Sequence, residues 1–396
     1  MLRRLMAVSL LLALLLPCLA ASGGADQPVK LSFTTEELLA DYDQMWAILH
    51  ESFPFLPLAG KSEAELEALR LEVRAKIGPR VTDAAGLYLL MQDVCAAPGY
   101  LAHLGPVSPD AFRLSYDYAR RQGEDWDYWV QLYSPQGMAS YAQLASAHQP
   151  MRYDSQPPEI AMRYIPGSRA LHIRYPIFKA AFDPQRLVPI ADTLSRHPEA
   201  QHVIIDITGN GGGQTLHWMH HIVSAFSEPV SWSYTSYLRL TDIIAPQYEH
   251  TDLRPISPDM PGLPDFVSEL GMTHLGQKTQ RFPLDGYWAP QVDRPLRRWL
   301  LVDEVCYSAA EMFTRFCLDT AWATVVGRTT GGDGGVLQGA SQVALHHTGL
   351  MLGFFVESGA NADGSLNPLQ GSQPDHFSKP SESPLNACLR LIAEGK

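Results

Sequence analysis

Two strand–turn–helix units and two helix-capping signals predict an α/β (α+β) chain, a helical bundle followed by alternating strands and helices. In the first unit, an apolar run from Trp299 to Val302 reads as a buried strand. Ser308 follows, and Ala309, Met312, Phe313 and Phe316 fall on one face of a helix. A second apolar run, Ala323–Gly327, leads into the glycine turn Gly331-Gly-Asp-Gly-Gly335. In the second unit, Val203-Ile-Ile-Asp206 reads as a strand and Leu216 to Phe226 as a helix, with Gly209-Asn-Gly-Gly-Gly213 between them. The capping boxes Thr34-x-x-Glu37 and Ser62-x-x-Glu65 start two helices near the N-terminus.

Along the chain, residues 1–21 read as a secretory signal peptide: Arg3 and Arg4, a short apolar stretch, then Pro17-Cys-Leu-Ala-Ala. The apolar stretch is too short for a comfortable membrane span, so the protein is expected to be exported, periplasmic or extracellular, with no integral span after cleavage. Pro17 before Cys18 argues against lipidation there. Residues 30–105 are expected to be a helical domain, with an apolar stripe of Leu38, Leu39, Tyr42, Met45, Trp46 and Leu49 and a third helix over Asp83–Val94. Residues 106–160 read as a mixed β connecting segment, with a strand near Trp126–Val130. Residues 161–396 are the βα core, with strands at Ala170–Tyr175 and Val203–Ile207 and a helix near Arg186–Arg196. The proline-rich stretch 243–293 is expected to be a long ordered loop over the site.

Charge narrows the partners. The 396 residues carry a net charge of −12, and removal of Arg3 and Arg4 leaves 28 basic against 42 acidic residues, −14. An acidic chain without a basic run has no electrostatic footprint for nucleic acid or anionic membrane. Cys95, Cys306, Cys317 and Cys388 are too scattered for a zinc pattern or a disulfide scaffold; buried free thiols are expected, with one bridge left open.

Two motifs carry chemistry. A serine at a strand-to-helix junction sits beside unpaired helix N–H groups, which favour the negative charge of an acyl-transfer oxyanion. The plain alternative is that Ser308 only caps its helix. The glycine loop lets backbone N–H groups approach a ligand closely. It lacks the Gly-Lys-Ser/Thr of a phosphate loop and the GxGxxG spacing, so a tight turn is its plain reading.

Taken together, these motifs resemble the core of the S41 family, the C-terminal processing (tail-specific) and tricorn-type serine peptidases. Asp206, Asn210, Gly212 and Gly213 match that family's Asp-x-Arg-x-Asn-x-Gly-Gly, with Thr208 in place of arginine. Ser308, Ala309, Glu311, Asp319, Val326, Gly327, Thr330 and Gly332 match its Ser-Ala-x-Glu and Val-Gly-x-x-Thr-x-Gly segments, and Gly371-Ser-Gln-Pro374-Asp375 its late Gly-Val-x-Pro-Asp. The resemblance implies a ClpP/crotonase-like βα superhelical core behind the helical domain, and Ser308 as nucleophile. Processing peptidases place a lysine base where this chain has Asp333, so the resemblance points to the tricorn-like branch, which uses a histidine. No glycine-led PDZ module is recognisable in residues 106–160.

His103, closing the helical domain, stands where tricorn-like members carry their histidine, and an imidazole is a natural base for serine at neutral pH. Those members orient it with a late glutamate; the nearest upstream carboxylates here are Glu357 and Asp363, and Glu357 is taken as the third catalytic residue, with Asn367 as an amide alternative. Gly212 and Ala309 N–H groups are expected to form the oxyanion hole. Asp333 is not expected to act as base, and Asp333→Asn is expected to spare activity. His217-x-x-His220-His221 is read as an exposed histidine face rather than a metal site, and no metal or cofactor is expected. The expected function is that of an exported serine peptidase acting on peptide or unfolded protein; the second reading is a catalytically inactive binding protein on the same fold.

Overall fold

The computed structural model describes residues 29–97, 99, 101–121, 132–147, 160–178, 190–257, 259–285 and 291–396. The signal-peptide reading, the strand expected at Trp126–Val130 and the first residues, 186–189, of the helix expected near Arg186–Arg196 lie outside these residues, while the rest of that helix is present as Ile190–Ser195.

Helices Thr35–Ser52, Glu63–Arg74 and Ala84–Ala96 open the chain. Both capping boxes form: the Thr34 and Ser62 hydroxyls accept from the N–H groups of Glu37 and Glu65, whose carboxylates accept from the cap N–H groups in return. The stripe residues Leu38, Tyr42, Met45, Trp46 and Leu49 are buried. The described part of 106–160 holds the end of a short strand at Pro106 and two helices, Pro109–Arg121 and Pro135–Ala147, where a mixed β segment was expected.

The core is a six-stranded sheet in the order His376–Phe377, Thr324–Gly327, Arg297–Val302, His202–Asp206, Ala170–Arg174, Ala161–Ile165. All neighbours are parallel except the last pair. Covered on both faces, its central strands read as continuous apolar runs. Alternate side chains then separate by face. Ile204, Trp299, Leu301 and Val326 pack against Ala387, Cys388 and Leu391 of the C-terminal helix Pro384–Ala393, while Val203, Ile205, Leu300 and Val302 join the main core with Phe313 and Phe316 of helix Ala309–Thr320.

Stretch 243–293 is not a loop. It contains strand Leu253–Pro255, helix Asp265–Glu269 and the nine-residue strand His274–Phe282, which pairs antiparallel with Val230–Leu238. Pro255, Pro258, Pro261 and Pro264 precede that long strand and Pro283 follows it, so none removes a donor from its interior. Glu357–Gly359 completes this four-stranded sheet.

A smaller sheet joins the helical domain to the core. Gly105–Pro106 pairs with Met351–Phe354, which pairs with Ser341–Ala344. Beside it the buried Asp41 carboxylate accepts from the N–H groups of His347 (2.8 Å) and Thr348 (2.7 Å) and from the Thr348 hydroxyl (2.7 Å).

Candidate active site

Three neighbouring parallel strands deliver the site. In parallel sheets ligands meet the carboxyl ends of the strands, where the connecting loops converge. Here Arg297–Val302 leads to Ser308, His202–Asp206 to the glycine loop, and Thr324–Gly327 to the turn holding Asp333. His103 arrives from the helical domain, with the Phe355 N–H donating to the carbonyl of Ala102 at 2.8 Å.

The imidazole bridges serine and aspartate. His103 Nε2 lies 3.1 Å from Ser308 Oγ, and Nδ1 lies 2.5 Å from Asp333 Oδ2. Asp333 is buried, and its Oδ2 also accepts from the Tyr307 hydroxyl at 2.5 Å. Burial and the adjacent carboxylate push the Tyr307 phenol far above its ordinary value, so it stays protonated and donates. The ring is fixed by aromatic neighbours: Tyr307 stacks on it (centroids 5.0 Å, planes 25° apart) and Phe355 meets it edge-on at 4.4 Å.

Ser308 is no helix cap. It precedes the first residue of helix Ala309–Thr320, but its side chain makes no capping hydrogen bond and its backbone is at φ 57°, ψ −117°. Asp333 (φ 69°), His103 (φ 55°) and Ala102 (φ 51°) also have positive φ. Such backbone costs about 1–3 kcal/mol per residue and clusters where geometry is imposed by the surroundings. The surroundings are identifiable. Ser308 N–H donates to the Gly332 carbonyl, Gly331 N–H to the Cys306 carbonyl, and Gly334 N–H to Asn367 Oδ1 at 2.7 Å. Asn367 in turn donates to Glu311 Oε1 at 2.6 Å, and Ser372 donates to the same oxygen. Burial holds the Glu311 carboxyl above its usual range. Asn367 therefore braces the turn of Asp333 and does not touch the histidine.

Two expectations are corrected by this geometry. The carboxylate on His103 is Asp333, not Glu357. Glu357 is fully buried and occupied elsewhere: Oε2 accepts from Ser236 and the Leu337 N–H, Oε1 from Tyr248 and the Gln338 N–H. It ties the loop after the glycine turn to the four-stranded sheet. Gly212, expected in the oxyanion hole, already donates its N–H to Asn210 Oδ1 at 2.8 Å. The available donor is Gly213. Phe178 bonds to the carbonyl of Gly212 and the N–H of Gln214, the pattern of a parallel bridge, so the N–H of Gly213 points away from Phe178. Among the described residues neither the Gly213 nor the Ala309 N–H has a hydrogen-bond partner, and both residues line the cavity with Ser308 and His103. Gly212 serves by closeness: a Cβ there would stand 2.9 Å from the Ser308 Cβ and 2.7 Å from the Tyr307 carbonyl oxygen.

The histidine cluster is also not the exposed face expected. His217 and His221 are buried, and burial lowers His220 to about 4. The described residues contain no group of three or more side chains arranged for a metal. The four cysteines among the described residues, Cys95, Cys306, Cys317 and Cys388, are free and buried.

The sequence model of peptidase family S41 matches residues 170–376, just over half of the chain. The chain belongs to peptidase family S41. No curated protein matches it. Among solved structures it is similar to a candidate peptidase from Parabacteroides merdae ATCC 43184 (16% identity, TM-score 0.49, covering 90% of this chain and 96% of that one). It is also similar to mature CPAF complexed with lactacystin (14%, 0.48, 91% and 97%) and to the photosystem II D1 C-terminal processing protease (13%, 0.42, 91% and 98%).

Proposed function

We propose that this chain is an active serine peptidase with a Ser308–His103–Asp333 triad, exported by its N-terminal signal segment and acting on peptide or unfolded protein. The observation that carries this reading is one imidazole within hydrogen-bond reach of both a serine hydroxyl and a buried carboxylate. Asp333 accepts a hydrogen bond from Nδ1–H, which keeps the proton on Nδ1 and leaves the Nε2 lone pair facing Ser308. Ser308 Oγ attacks the substrate carbonyl carbon as its proton passes to Nε2. The carbonyl oxygen takes the negative charge beside the Ala309 and Gly213 N–H groups at the helix start. When the C–N bond breaks, the amine leaves with the proton from Nε2, and water repeats the sequence on the acyl-enzyme. The absent lysine thus has a functional replacement in a different pair of residues. No helix among the described residues is long and apolar enough to cross a membrane.

The test is labelling by a fluorophosphonate, which reacts only with an activated serine. The full chain is expected to label at Ser308 and to hydrolyse unfolded casein, and Ser308→Ala to do neither while losing no more than about 1 kcal/mol of stability, since among the described residues its hydroxyl bonds only to the His103 ring. A folded chain that fails to label would make it a binding protein on this fold.

A further inference from the structure

The cavity that begins at Ser308 and His103 has a volume of about 240 Å³ and is walled by apolar residues such as Val107, Met219, Met312 and Val336. Two polar side chains in its wall have no structural task. The first is Lys278, in the interior of strand His274–Phe282 and opposite Tyr234. Its ammonium makes one long contact, 3.5 Å to the Leu337 carbonyl, at the outer limit of a hydrogen bond. Glu357 is the carboxylate that acts on it, from beyond contact, and both Glu357 oxygens are already filled by other donors. Burial lowers the lysine from its ordinary value. The second is Gln342, fully buried in strand Ser341–Ala344, with neither carboxamide atom hydrogen-bonded. A half-buried cation and a buried amide left unmatched in an apolar pocket both cost free energy unless something else satisfies them.

We infer that this cavity is the substrate-side pocket of the peptidase and that Lys278, assisted by Gln342, selects a carboxylate on the residue bound there. The inference rests on the peptidase reading for its place in catalysis. The ligand chemistry rests on the pocket alone. The carboxylate has two sources, an acidic side chain on the acyl side of the scissile bond or the terminal carboxylate of a short peptide. An ammonium–carboxylate contact in such a setting discriminates against the neutral isostere by roughly 10- to 100-fold.

Two measurements on the full chain separate the sources and separate this inference from the peptidase reading. The first is the rate of covalent labelling by peptidyl diphenyl phosphonates carrying Glu, Gln or Leu next to the phosphorus. A glutamyl preference over glutaminyl of at least about tenfold is expected. It should collapse toward unity in Lys278→Met and persist in Lys278→Arg. The second is calorimetric binding to Ser308→Ala of the peptide acid against its amide, and of the glutamyl against the glutaminyl peptide. A preference for the acid identifies a terminal carboxylate, and a preference for glutamyl identifies the side chain. Each preference must again be lost in Lys278→Met. If neither phosphonate nor fluorophosphonate labels Ser308, the peptidase reading fails and the binding measurement alone decides the pocket. Equal binding and equal labelling of charged and neutral members, or a preference that survives Lys278→Met, overturns the inference.

Discussion

Asp333 and Tyr307 make opposite demands on the same imidazole environment, and substitution tells them apart. Asp333→Asn keeps the volume but presents an amide to His103, which favours the tautomer with the Nε2 proton facing Ser308 Oγ. A change of this kind in a triad lowers turnover by roughly 10⁴-fold with geometry intact. We expect a fall of about 10³- to 10⁴-fold in kcat for a folded Asp333→Asn, replacing the expectation from sequence that this variant spares activity. Tyr307→Phe removes one donor to Asp333 Oδ2 but leaves the His103 contact, so a loss of about tenfold or less is expected, with about 1 kcal/mol of stability. Casein turnover and denaturant melts of both variants check this; equal losses would mean that Tyr307 is itself part of the proton path. Motif and position pointed to Ser308 and His103, and the structure brings these two side chains together. Asp333 was not, because its place in the glycine turn was read only for the lysine it lacks. Flanking glycines and a positive φ in fact deliver that short carboxylate to the ring.

The glycine loop matters as a shaped piece of backbone, and Asn210 shapes it. This buried side chain donates to the Tyr175 carbonyl at 2.9 Å and accepts from the Gly212 N–H at 2.8 Å, so it holds the strand end and the loop apart at a fixed distance. Asn210→Ala orphans both groups and frees Gly213 to drift from the position of the developing oxyanion. Loss of one oxyanion donor costs about 10²- to 10³-fold in kcat, and we expect a partial loss near 10²-fold, with KM little changed and stability lower by about 1–3 kcal/mol. Steady-state kinetics on a peptide substrate would read the split; an effect confined to KM would place the loop in ground-state binding instead. Apolar runs made the parallel strands legible, because burial on both faces demands them. The same logic hid strand His274–Phe282, whose Gln277, Lys278, Thr279, Gln280 and Arg281 lack any apolar run and sit among prolines. The sequence pointed to Gly212 rather than Gly213 as the candidate oxyanion donor because glycine content alone says nothing about which N–H a neighbouring side chain has already claimed.

The proposed triad is assembled from two parts of the chain, so its geometry depends on how the helical domain seats on the core. Asp41 is a buried polar tie between them. It is fully buried on helix Thr35–Ser52, and its three accepted hydrogen bonds fix the turn at His347 and Thr348. That turn leads into Met351–Phe354, which pairs with Gly105–Pro106, and Phe355 both bonds to Ala102 and packs on the His103 ring. Packing of Phe53 against Phe354 (centroids 5.8 Å) supports the same junction. Asp41→Ala leaves three donors without their acceptor, in a place water reaches poorly, and should lower unfolding stability by about 2–4 kcal/mol. It should also loosen the seat of His103. Below its unfolding transition the variant is then expected to label with fluorophosphonate at least about tenfold more slowly than the parent, since a positioned general base supplies roughly 10²- to 10⁴-fold. Urea titration and labelling rates at one temperature measure the two effects separately. A variant that loses stability but labels at the parental rate would show that the aromatic contacts alone hold the histidine, and that the helical domain is joined to the site without tuning it.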